Sequence, residues 1–245
     1  MKTLLSLLAI NLMFMNSMEN KHAKDVFDAG DGKLSISFIG HGTLMFEYKN
    51  MVIHIDPTMR EADYATMPDA DLILITHHHG DHLDLTAINH IIKDDCPVIM
   101  TQSCFDQLED FKGAVIMKNG DKNTIKGIPI DAIPAYNIKH KRSNGEAFHP
   151  KGIGNAYVVS IGGLKILIGG DTENIPEIKA LKNIDIAFLP MNLPYTMTPE
   201  MVADAARAMQ PKVLYPYHFG QTDPEELADL LKDEKNIEVR IRALE

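Results

Sequence analysis

Thr76-His77-His78-His79-Gly80-Asp81-His82 follows directly on the apolar run Leu72-Ile73-Leu74-Ile75, and the junction of the two decides the fold. The apolar run reads as a buried strand. The residues after it place five potential metal ligands within six positions, 77 to 82. Neutral imidazole together with carboxylate suits zinc, and also iron or manganese. If the strand runs out into extended chain, His77 and His79 point one way and His78 the other. Gly80 permits a sharp turn, after which Asp81 and His82 face a second position. One loop can therefore serve two cations. A solvated histidine-rich loop or a tag remnant is the plainer reading, but tags sit at chain ends and lack the embedded Asp81 and Gly80.

The pattern His-x-His-x-Asp-His, carried by His77, His79, Asp81 and His82, resembles the signature of the metallo-β-lactamase superfamily of binuclear metal hydrolases. Later segments are similar too. Gly169-Gly170-Asp171-Thr172 resembles the family's metal-bridging Asp after a strand, and Tyr217-His218-Phe219-Gly220 resembles its last His. Pro134-Ala135-Tyr136-Asn137 with Phe148-His149-Pro150-Lys151-Gly152 is similar to the branch holding ascorbate-phosphate lactonases and the phospholipase D that cleaves N-acylphosphatidylethanolamine. The resemblance covers about residues 33 to 240. It implies an α/β fold of the four-layer αββα sandwich type, with the metals at one edge between the sheets. It also implies two divalent ions, zinc first with manganese or iron as alternatives. His77, His79 and His149 go to the first ion, Asp81, His82 and His218 to the second, and Asp171 to both. Such a pair generates hydroxide at neutral pH for attack on an ester, lactone or phosphodiester bond. Asp81 can additionally orient that nucleophile or shuttle its proton.

The third ligand of the first ion is the open choice. Residues 136 to 154 form a long, polar loop with Lys139, His140, Lys141, Arg142, His149 and Lys151, and loops of this length in compact domains are functional or disordered. His149, bracketed by Phe148 and Pro150, fits the need best, with Asn137 and His140 as competitors. The basic residues can hold a phosphate or carboxylate, or form a solvated face.

Composition sets outer limits. The 245 residues carry no Pro/Gly/Ser-rich linker and read as one domain, 45% hydrophobic and 24% charged. A formal net charge of −10 opposes non-specific attraction to nucleic acid and to anionic lipid. The partner expected is a small-molecule substrate, and an anionic one would need local positive charge. The oligomeric state has no signature in the sequence.

Met1-Lys2 followed by apolar Leu4 to Phe14 reads as a signal peptide over 1–18, too short for a stable membrane span. That points to export, periplasmic or secreted, although Met15-Asn16-Ser17-Met18 is a poor cleavage box and leaves a cytoplasmic location as the alternative. Residues 19–32 read as a tether, and 33–245 as the hydrolase domain. Cys96 and Cys104 read as unpaired packing residues.

Along the domain, strands are expected over 34–39, 43–48, 51–55, 98–100, 114–117, 126–135, 155–161, 165–168, 184–189, 213–216 and 237–241. Asp84 and Thr198 are placed to cap helices, a short helix is expected over 104–111, and Asp223-Pro224-Glu225-Glu226 opens another. Asp56 either fixes a ligand histidine from behind or starts a turn before Pro57. His41 is a candidate for the site rim, His54 a structural histidine, and Tyr195 a candidate substrate donor or packing residue. Two other classes remain: a di-iron redox protein of the same fold, and a metal-binding protein without turnover.

Overall fold

The computed structural model describes residues 22–108 and 111–244. The strands in chain order are β1 (Ala23–Ala29), β2 (Gly32–Gly40), β3 (Thr43–Tyr48), β4 (Met51–Ile55), β5 (Leu72–Leu74), β6 (Val98–Met100), β7 (Ala114–Ile116), β8 (Lys122–Ile125), β9 (Ile128–Ala135), β10 (Gly154–Ile161), β11 (Leu164–Ile168), β12 (Ile186–Pro190), β13 (Val213–Tyr217) and β14 (Glu238–Val239). The helices are α1 (Leu85–Ile91), α2 (Gln102–Gln107), α3 (Pro176–Lys179), α4 (Pro199–Met209) and α5 (Pro224–Leu231). The strands form two seven-stranded sheets in the orders β1 to β7 and β14 to β8. Each sheet is mixed, antiparallel where hairpins connect strands and parallel across the helical crossovers.

The alternation along β5 shows why the layers stack. Leu72 and Leu74 enter the core between the sheets with Ile55 and Ile99, whereas Ile73 and Ile75 join Ile88, Ile91 and Met100 in a separate cluster under α1. A strand apolar on both faces has to be covered on both, so sheets pack inside and helices outside. Truncating Leu74, fully buried, to Ala would cost about 2–5 kcal/mol. The helix signals act as the sequence predicts: Asp84 accepts from Thr86 N and Ala87 N, and Thr198 from Met201 N with Pro199 in the first turn.

Several expectations are corrected. The tether over 19–32 is a strand from Ala23, because β1 pairs antiparallel with β2 along its length and Asp25 is held by Arg242 Nη2 at 2.7 Å. The expected strand 126–135 is the second half of a hairpin: Lys126 and Gly127 both take positive φ, turning β8 into β9. The helix expected over 104–111 begins at Gln102, since the Thr101 hydroxyl caps Cys104 N at 3.3 Å. The last strand shrinks to Glu238–Val239. Cys96 and Cys104 are free and buried, as expected. The signal-peptide segment 1–18 lies outside the described residues. Among those described, no helix is long and apolar enough to cross a membrane.

Candidate metal centre

The sheets meet along one edge, where β5, β11 and β13 end and β10 begins. β5 releases the chain at Thr76, whose carbonyl accepts from Asn155 N at 2.9 Å while the Tyr157 hydroxyl reaches Ile75 O at 2.9 Å, so the first sheet's loop is tied to the second sheet. The loop then curls back, with His82 N and Leu83 N both donating to His79 O. His77 and His79 share a side and His78 does not, as extended geometry requires: His77, His79, His149 and Asp171 bring ligand atoms within 4.8 Å of one another. Asp171 Oδ2 lies 3.1 Å from His149 Nε2 and 3.7 Å from His77 Nε2.

The other oxygen of the same carboxylate serves a second group. Asp171 Oδ1 is 3.5 Å from His82 Nε2 and 3.4 Å from His218 Nε2, and Asp81 Oδ2 is 3.6 Å from His218 Nε2. Asp171 therefore sits between two constellations, each able to hold a cation. His82 Nε2, His218 Nε2 and Asp171 Oδ1 are buried and have no hydrogen-bond partner. Orphaned buried polar atoms are costly unless something binds them, so this donor set fits a metal. Two glycines make the approach possible. A Cβ on Gly42 would lie 2.9 Å from His82 Cε1, and Gly170, at φ +56, carries Asp171 past Thr76 where a Cβ would meet the Thr76 side chain at 3.0 Å.

The cage is oriented from behind. Buried Asp56, at positive φ, accepts from Thr76 N and Thr76 Oγ1 at 2.7 Å and lies 2.8 Å from His82 Nδ1, so of its two sequence readings the histidine-fixing one matches the geometry. His149 is fixed by Asn137: the Asn137 Oδ1 accepts from His149 N and lies 2.8 Å from His149 Nδ1. Asn137 thus stands behind His149 instead of competing with it. His140 lies 3.0 Å from Glu173 Oε1 and outside the ligand groups.

Glu173 is the residue that sequence reasoning missed. Fully buried, it accepts from the successive amides of Ile138, Lys139 and His140 at 2.7–2.8 Å and from Asn137 Nδ2 at 3.2 Å. Its donors are mostly backbone, which leaves no side-chain signature; its position two residues after Asp171 was the available hint. His41 does reach the rim, 3.5 Å from Asp81 Oδ2 with its ring 3.8 Å from that of His218. His54 stays remote, against Pro68 O at 3.0 Å, and burial pushes its imidazole down to about 4.

Electrostatics within the cage are strongly coupled. Burial alone would raise the Asp171 carboxyl, but His218 and His82 outweigh it and hold it well below the usual carboxylate range. Burial would likewise lower His82, yet the Asp171 and Asp56 carboxylates push it up to about 9. His77 is driven well below its ordinary value by burial and then by His82. Burial also opposes ionisation of Asp81, and the neighbouring His218, His41 and His82 imidazoles override it.

The basic loop does not act as one cluster. Lys151 pairs with Glu177 at 2.8 Å, and only Arg142 of the group, with its guanidinium 5.1 Å from the Phe148 ring, lines the open space over the cage. Tyr195, 45% exposed, packs edge-to-face with Phe148, their ring centroids 5.1 Å apart.

A profile described as Beta-lactamase superfamily domain matches residues 35–218. A Parabacteroides distasonis protein, provisionally assigned as a metal-dependent hydrolase, has a crystal structure that aligns with a TM-score of 0.86 at 47% identity, covering 91% of this chain and 100% of that one. A UPF0173 metal-dependent hydrolase of Thermococcus onnurineus is 28% identical over 221 residues, 83% of this chain and 95% of the relative. A metallo hydrolase of Ignicoccus hospitalis shares the fold with a TM-score of 0.70 at 21% identity, covering 86% of this chain and 95% of that one. The two mixed sheets, the clustered histidines and aspartates at their shared edge and the matched profile lead to one assignment: the chain belongs to the metallo-β-lactamase superfamily.

Proposed function

We propose that this protein is a metal-dependent hydrolase that holds two divalent cations and cleaves an ester, lactone or phosphodiester bond in a small anionic substrate. The observation that carries the reading is the sharing of Asp171, one carboxylate oxygen toward His77 and His149 and the other toward His82 and His218. His77, His79 and His149 hold the first ion, Asp81, His82 and His218 the second, and Asp171 both. Imidazole nitrogens with two carboxylates favour zinc, with manganese and iron as competitors. When bound, such ions lower the pKa of water from 15.7 toward about 7 and polarise the bond under attack.

The remaining work falls to the side chains. Asp81, 29% exposed and facing the open cleft, orients the attacking water and takes its proton. Arg60 and Arg142 line that cleft and bind the substrate's anionic group. Tyr195 lines it as well, and its hydroxyl donates to an oxygen of the substrate. The branch similarity over residues 134–152 supports lactone and phosphodiester substrates ahead of β-lactams. Export, expected from residues 1–18, belongs to the same proposal and is checked by fractionating cells that express the full chain.

The test is metal analysis of the purified protein together with turnover on a panel of lactones, esters, phosphodiesters and β-lactams, before and after chelation. Chelator-sensitive hydrolysis by the zinc form is the expected result. Iron with oxygen consumption would make it a redox protein, and bound metal without turnover a binding protein.

A further inference from the structure

Two adjoining clefts open onto the cage, and their walls differ in kind. The first, about 580 Å³, is bounded by Ala135, Ala147, Phe148, Pro150 and Ile153 on the side of His77 and His79. The second, about 510 Å³, carries Arg60, Arg142, Asn192 and Tyr195 on the side of Asp81 and His218. Both volumes are those of small-molecule sites, commonly about 300–1,000 Å³. His79, Arg142, Phe148, His149 and Asp171 line both, so the two clefts are contiguous across the cage and the Phe148 ring.

Charge is divided as unequally as shape. Outside the cage, the charged side chains of the second cleft are Arg60 and Arg142, whereas the first shares Arg142 and adds Glu146. The first cleft also runs right down to the cage, because Gly154 lines its floor, where an added Cβ would already touch the His77 Cβ at 3.4 Å. An apolar group can therefore lie beside His77 while a charged group lies beside Asp81.

We propose that the first cleft binds the apolar arm of a bipartite substrate, a short alkyl or acyl chain, with the anionic group at Arg60 and Arg142 and the scissile bond over the cage between them. This rests on the hydrolase reading above. The substrate class is thus an amphiphilic ester or phosphodiester, not a wholly polar sugar lactone. Each methylene that leaves water for an apolar wall raises affinity about fourfold.

The test measures binding of methyl-, butyl- and hexylphosphonate to the metal-loaded protein by calorimetry, alongside turnover of esters and phosphodiesters with the same chains. Affinity is expected to climb with chain length by about fourfold per buried methylene. In Ile153→Trp, which fills the cleft, the ratio of hexyl to methyl affinity is expected to collapse toward one. A series flat to within twofold in the wild-type protein overturns the proposal, and so does a rise that survives unchanged in Ile153→Trp. Turnover separates the two readings: a rising series without hydrolysis supports the cleft and overturns the hydrolase, and hydrolysis with a flat series does the reverse.

Discussion

Asn137 grips His149 twice, its side-chain oxygen accepting from the backbone N–H and standing 2.8 Å from ring Nδ1. That contact leaves Nε2 as the free lone pair and turns it toward Asp171, 3.1 Å away. Asn137→Ala should lower affinity for the first ion by about 10–100-fold, the usual loss when a partner behind a ligand histidine is removed. Metal titration followed by calorimetry would resolve this, with the second ion's step little changed.

Glu173 extends the same support one residue further back. Three amides and the Asn137 side chain converge on its carboxylate, so Glu173→Gln replaces an acceptor with a donor facing donors. Loss of about 1–3 kcal/mol in unfolding free energy is expected, together with weaker binding of the first ion. Glu173→Asp, which keeps the charge, should recover part of both. Denaturant melts with and without zinc separate the two effects.

The proposed second ion would depend on a gap as much as on ligands. Gly42→Ala puts a methyl 2.9 Å from His82 Cε1 and 3.3 Å from His218 Cδ2. Both rings must shift by several tenths of an ångström, which should reduce bound metal from two ions to one per chain. Elemental analysis of the variant after dialysis reads the count directly.

Acid stability should report on the strand that the sequence failed to announce. Burial would raise the Asp25 carboxyl, but its bonds to Arg242, Tyr215 and Arg240 outweigh that and hold it below the ordinary 3.8. A lowered carboxyl stabilises the fold in full above the ordinary value, and that contribution fades as pH falls through the folded value. Asp25→Asn should cost about 1–3 kcal/mol at pH 7 and flatten the fall in stability below pH 4. Urea melts across that range check both.

Much of this was legible because the chemistry lies in local patterns. Period-two geometry sorted His77 and His79 from His78, and the strands 43–48, 51–55 and 98–100 emerged with their ends in place. Strand β1 did not, because Lys24, Asp25 and Asp28 break its apolar pattern and the arginines that hold Asp25 lie over 200 residues away. Asn137 and His140 looked like rivals of His149 because sequence shows which residues can ligate and not which way they face. Glu173 binds backbone amides, and an amide looks the same at every position.

The most direct test of the account is anomalous diffraction from a crystal grown with zinc. Two peaks are predicted, one within about 2.0–2.2 Å of the His77, His79 and His149 nitrogens and the other at the same range from His82 and His218, with Asp171 reaching both. A single peak, or any arrangement in which Asp171 touches no ion, would contradict it.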